Sequence, residues 1–172
     1  MSETLSGERA DLLESLNRHR IFLLQTARDL TDEQAAERST VSALCVGGLI
    51  KHVSETERRW IEFAQHGPSA MPEWSADDPS VFEEHAAGFR MRPGETLAGL
   101  LADYAAVAEQ TNALVATLDL DASQPLPEAP WFPPGARWSV RRVLLHVIAE
   151  TSQHAGHADI IREAIDGAKT MG

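Results

Sequence analysis

The stretch His146–Arg162, HVIAETSQHAGHADIIR, constrains the fold more than any other part of the chain. At about 100° per residue, Val143, Val147, Glu150, His154, His157 and Ile161 fall within about 40° of one line. The stretch therefore reads as an amphipathic helix whose core-facing stripe mixes titratable groups with apolar ones. A carboxylate buried without a partner is strongly disfavoured, so a cation or a hydrogen-bond donor is expected to meet Glu150.

Ser139 is a natural N-cap for this helix and Gly167 a natural stop, which sets its end near Asp166. Three further long helices are predicted. The first runs from about Glu8 to Leu30, with Leu12, Leu16, Leu23, Ala27 and Leu30 on one stripe and His19 among them. Thr31-Asp32-Glu33-Gln34 ends it and offers the capping pattern of a short new helix. The second spans about Val46 to Gln65 and turns Leu49, His52, Val53, Thr56, Trp60 and Phe63 inward, before the stop His66-Gly67-Pro68. The third, about Glu95 to Leu118, is patterned by Leu97, Leu100, Leu101, Tyr104, Val107, Ala108, Thr111, Leu114 and Leu118. It carries no inward His, Cys or carboxylate and reads as scaffold.

Two connections are long. Gly67 to Gly94 contains Pro68, Pro72, Pro79 and Pro93, with a short helix expected around Val81–Phe89. Helix connections in bundles usually take about 2–8 residues, so this one is expected to cross back along the helices. Asp119–Arg137 is Pro-rich and leads into Trp138, which it gathers with Trp131 and Phe132. It either plugs one end of the helices or walls a pocket. Four long helices, no alternating strand-like run and no internal repeat predict an all-α four-helix bundle, one domain over residues 1–172, with a crossover between helices 2 and 3.

The net charge of −11, with no Lys/Arg cluster longer than the pairs Arg58–Arg59 and Arg141–Arg142, argues against a nucleic-acid surface. Cys45 is the sole cysteine, so an intrachain disulfide is excluded and a reducing compartment fits. No apolar run approaches the roughly 20 residues of a membrane span, and no signal peptide opens the chain. A cytoplasmic setting is expected. Arginines far outnumber the two lysines, Lys51 and Lys169, and alanine is abundant, a composition typical of a GC-rich genome.

Glu150 and His154 are four residues apart, so their Cβ atoms lie about 6 Å from one another on one helix face. That spacing allows both to bind one ion, with a third ligand from another helix. His52 is the best-placed candidate. Two imidazole nitrogens and one carboxylate oxygen suit Zn, Ni, Fe or Mn, and three protein ligands leave positions open for water or substrate. A hydrogen-bonded Glu–His pair is the alternative. His146, four residues before Glu150, and His157, three after His154, are competing ligands. They lie about 60° and 40° from the stripe centre, which assigns His157 to an outer contact or the pocket lining. His66 and His85, in or beside loops, are expected to be solvated.

The patterns LIKHVSETERRW (49–60) and HVIAETSQHAGHADIIREAIDG (146–167) resemble the DinB-like superfamily of metal-binding four-helix bundles. The resemblance covers nearly the whole chain. It is closest to the mycothiol-dependent branch, which includes maleylpyruvate isomerase and mycothiol S-transferases. In that family one His on the second helix and an i, i+4 pair on the fourth hold the metal, which implies His52, Glu150 and His154 here. Glu150 departs from the commoner three-His pattern and matches the mycothiol-isomerase type. The resemblance implies a divalent metal, usually Zn, and mycothiol as co-substrate. A metal-activated thiolate would attack an electrophilic small molecule, in detoxification or metabolism. Trp60, Trp138 and His157 are then the expected pocket lining. Dimerisation is common in the superfamily, and no stretch of this sequence marks an interface.

Overall fold

Polar caps and glycines set most of the helix boundaries. A computed structural model describes residue 5 and residues 7–72 and 79–170. It shows α1 (Glu8–Gln25), α2 (Asp32–Ala36), α3 (Val46–His66), α4 (Pro79–Gly88), α5 (Leu97–Thr117) and α6 (Val140–Asp166). Ser139 Oγ accepts from the Arg142 amide at 3.1 Å, and Gly167 closes α6 in the left-handed region at φ 78°. Thr96 caps α5 in the same way, and Thr31 and Gln34 form a reciprocal capping box at α2.

α1 ends five residues earlier than its apolar stripe suggests. The amides of Thr26, Ala27 and Arg28 bond three residues back, and Asp29 sits at φ 61°. The exposed carbonyls are met from α6: Arg162 Nη1 donates to Thr26 O at 2.9 Å and to Arg28 O at 2.6 Å. A distant arginine thus satisfies carbonyls freed where the helix ends. Local spacing carries no trace of it.

The Asp119–Arg137 connection is partly ordered as a ribbon. β1 (Ser123–Pro125) pairs antiparallel with β2 (Arg137–Ser139), with Gln124 opposite Trp138. This small ribbon is consistent with an all-α chain in which no alternating run is visible. Three-residue strands are too short to show alternation, and the Arg137 side chain, bonded to Ser123 O at 2.6 Å, ties the two together. In the other long connection α4 begins at Pro79, two residues ahead of expectation, and residues 73–78 of that connection lie outside the described residues.

The described chain is mainly helical. α1 packs on α6 and α5, and α3 packs on α5 and α6. The core comprises one cluster around Leu23, Leu49, Ile50, Val53 and Ala158, and a second around Leu16, Ile61, Phe63, Val143 and Leu144. No described helix is long and apolar enough to cross a membrane.

The buried stripes are turned from those expected. On α6 the deepest line is Val143, Val147, Thr151, Ala155 and Ala158, with Glu150 and His154 one residue to its side. The small residues take the centre because neighbouring helices pack close there. On α1 the buried polar residue is Arg20 and not His19, whose ring sits edge-on to Phe22. Its partner on α3 is Glu57, which is fully buried. Arg20 grips Glu57 with two nitrogens and also donates to Asn17 at 2.7 Å and Asn112 at 2.8 Å. The Arg20 guanidinium therefore ties α1 to α3 through the ion pair and to α5 through Asn112.

Candidate metal centre

His52 on α3 faces Glu150 and His154 on the adjacent α6, and one donor atom from each lies within 4.8 Å of the other two. Glu150 Oε2 is 3.5 Å from His154 Nε2 and 4.0 Å from His52 Nε2. A single carboxylate oxygen therefore faces both imidazoles. The side chains are 15% (His52), 28% (Glu150) and 12% (His154) exposed, which places the group at the rim of the core with access from outside.

The protonation states suit ligation. Burial pushes His52 down to about 4, and the neighbouring His154 adds to the effect, so His52 is a neutral base at neutral pH. His154, as a long hydrogen-bond donor, holds the Glu150 carboxyl below its ordinary range, against the opposing effect of burial. A neutral imidazole and an ionised carboxylate are the forms that bind a divalent ion. The donor set and its spacing fit such an ion.

Two more histidines stand behind these three. His157 Nδ1 lies 3.4 Å from His154 Nδ1, leaving His154 Nε2 to face Glu150. His146 Nε2 lies 4.0 Å from Glu150 Oε1, the oxygen turned away from His52 and His154. Neither joins the group of three donor atoms. His157 contacts a candidate ligand, and His146 backs the carboxylate.

Aromatic rings close the flanks. Phe89 lies flat on His52, with centroids 3.9 Å apart and planes 23° apart. His85, exposed on α4, stands edge-on to His52 at 6.2 Å, so it is solvated yet borders the centre. On the other flank Trp60 stacks on Trp138 at 4.6 Å, and His146 meets both edge-on at 4.8 and 5.1 Å. Arg142 covers Trp138 at 4.1 Å. Trp60 and Trp138 thus form one wall that reaches the centre through His146. Phe132, from the Pro-rich connection, meets Trp138 edge-on at 5.9 Å and extends that wall.

The remaining sequence candidates lie elsewhere. Cys45 is buried just before α3, with Sγ 3.8 Å from Phe89 O. Arg58 and Arg59 pair with Glu55, and Arg141 with Glu8 and Asp121. The sequence reading missed Phe89 as a contact of His52. A signal existed in Gly47-Gly48, two adjacent glycines inside a helix one turn before His52, where glycine is disfavoured unless another backbone comes close.

The solved structure of a conserved protein from Enterococcus faecalis shares this fold, with a TM-score of 0.68 over 95% of this chain and 100% of that one, at 17% sequence identity. No curated protein matches the chain. The mycothiol-S-transferase family model matches residues 11–167, which include all three clustered residues and both aromatic flanks. The chain therefore belongs to the mycothiol-S-transferase family, a DinB-like family.

Proposed function

We propose that this protein is a divalent-metal-dependent S-transferase that joins mycothiol to an electrophilic small molecule. The observation that carries the reading is the convergence of His52, Glu150 and His154 at an accessible rim, in a chain of this family. The four long helices form the bundle that presents the centre, with α4 in the crossover. His52, Glu150 and His154 would hold a divalent metal, most simply Zn, which would supply the Lewis acidity that brings a thiol's ionisation toward neutral pH.

The chain's own residues do the rest. His52 and His154 offer imidazole nitrogens, and Glu150 offers one oxygen, leaving the other toward His146. Trp60, Trp138 and Phe132 exclude water from one flank, and Phe89 from the other. The reaction forms a carbon–sulfur bond. The thiol proton leaves to solvent, and the electrophile loses its leaving group or, in an addition, takes a proton back. A cytoplasmic setting and a role in detoxification fit a thiol co-substrate and a single buried cysteine.

The test is turnover of a fluorogenic electrophile by metal-loaded protein with mycothiol, beside glutathione, cysteine and no thiol. Mycothiol-dependent turnover that disappears in His52→Ala supports the reading. Turnover without any thiol points instead to hydrolysis at the same centre. No turnover above His52→Ala with every thiol overturns the transferase.

A further inference from the structure

Gly47 and Gly48 lie in the first turn of α3 and are both buried. A Cβ at Gly48 would strike the backbone carbonyl of Phe89 and come within 2.8 Å of the Arg90 amide nitrogen. Those are main-chain atoms, so no side-chain rotation relieves the clash. At Gly47 the obstacle is chiefly the end of Met91, a flexible side chain. The strap after α4 is held at further points along the same helix: Cys45 Sγ approaches Phe89 O at 3.8 Å, and Lys51 Nζ reaches Arg90 O at 3.4 Å and Glu95 at 2.6 Å.

His52 follows Gly48 by one helical turn on the same face. The ring of Phe89, whose backbone occupies the space a Gly48 side chain would need, is the ring that covers His52 at 3.9 Å. We propose that Gly48 is a positioning residue of the metal centre: its missing side chain seats the Phe89 backbone on α3 and so keeps the Phe89 ring flat against His52. The stack blocks one face of the imidazole and restrains its rotation, so that its Nε2 edge stays turned toward Glu150. Supporting contacts of this kind orient a ligand without touching the ion. The inference rests on the reading of His52 as a metal ligand.

The experiment is a cobalt(II) titration of full-length wild type, Gly48→Ala, Phe89→Ala and Gly88→Ala, followed by visible absorption and by competition with a chelator. Gly88→Ala is the control, because a Cβ there meets nothing within 4 Å. Wild type and Gly88→Ala are expected to bind with the same spectrum. Gly48→Ala and Phe89→Ala are expected to bind about 10- to 100-fold more weakly, with altered d–d bands. Phe89→Ala keeps the glycine seat and removes only the ring, so it decides the matter if Gly48→Ala does not fold. Wild-type binding with unchanged affinity and spectrum in Phe89→Ala overturns the inference and leaves the metal reading standing. Failure of wild type to bind cobalt overturns both.

Discussion

Glu150 and His146 face one another across 4.0 Å, through the carboxylate oxygen that does not point at His52 or His154. The two oxygens of Glu150 thus divide between the candidate centre and an outer partner. His146 itself packs edge-on against both rings of the stacked Trp60–Trp138 pair. Such outer partners commonly contribute about 10- to 100-fold in metal affinity. His146→Ala is expected to weaken zinc binding by that factor without abolishing it, and competition with a chromogenic chelator reads the change.

Loss of a ligand has a larger effect than loss of an outer partner. His52→Ala, Glu150→Ala and His154→Ala each remove one of three donors, and elemental analysis of untagged protein should find them nearly free of metal. His157→Ala, which removes only the contact to His154 Nδ1, should retain metal with reduced affinity. Full metal content in all three ligand variants would refute the centre.

The Arg20–Glu57 pair predicts a stability effect away from the site. The side chains are 4% and 0% exposed, and removing one partner leaves a buried charge unmatched. Glu57→Ala or Arg20→Ala is expected to cost about 3–5 kcal/mol, while replacing both with apolar residues of similar volume should cost much less. Urea unfolding of the two single variants and the double variant measures the difference. Equal losses in all three would contradict it.

Acid should weaken the metal-free protein in a defined window. His52 takes up a proton near pH 6.5 when unfolded and only near about 4 when folded. Between those values the unfolded chain holds more protons, so stability falls as pH falls, by at most about 3 kcal/mol. His146, also pushed down by burial, acts in the same direction. Glu150, held below its ordinary value, adds a further loss once the pH drops below about 4.5. Urea midpoints across this range should slope less steeply for His52→Leu than for wild type.

Helix identity was written locally: Ser139 and Gly167 bound α6, Thr31 and Gln34 start α2, and the stop after His66 ends α3. The i, i+4 spacing of Glu150 and His154 likewise put two candidate ligands on one face, because that geometry belongs to a single helix. A third from α3 could be named because His52 lay on the inward side of its own helix.

Packing between helices decided the rest. Whether Glu150 lies at the centre or the rim of the buried stripe depends on which neighbours press on α6, and these chose Thr151, Ala155 and Ala158 for the centre. Arg20 and Glu57 are charged residues 37 positions apart, and only their meeting makes burial tolerable. The carbonyls freed at the end of α1 are met by Arg162, more than 130 residues away. The sequence by itself determined the helices and the Glu150–His154 pair through short-range geometry. The tertiary structure alone decided the core salt bridge and the Phe89 ring over His52, because each joins groups far apart along the chain; Gly47-Gly48 signalled only that some backbone comes close, not which one.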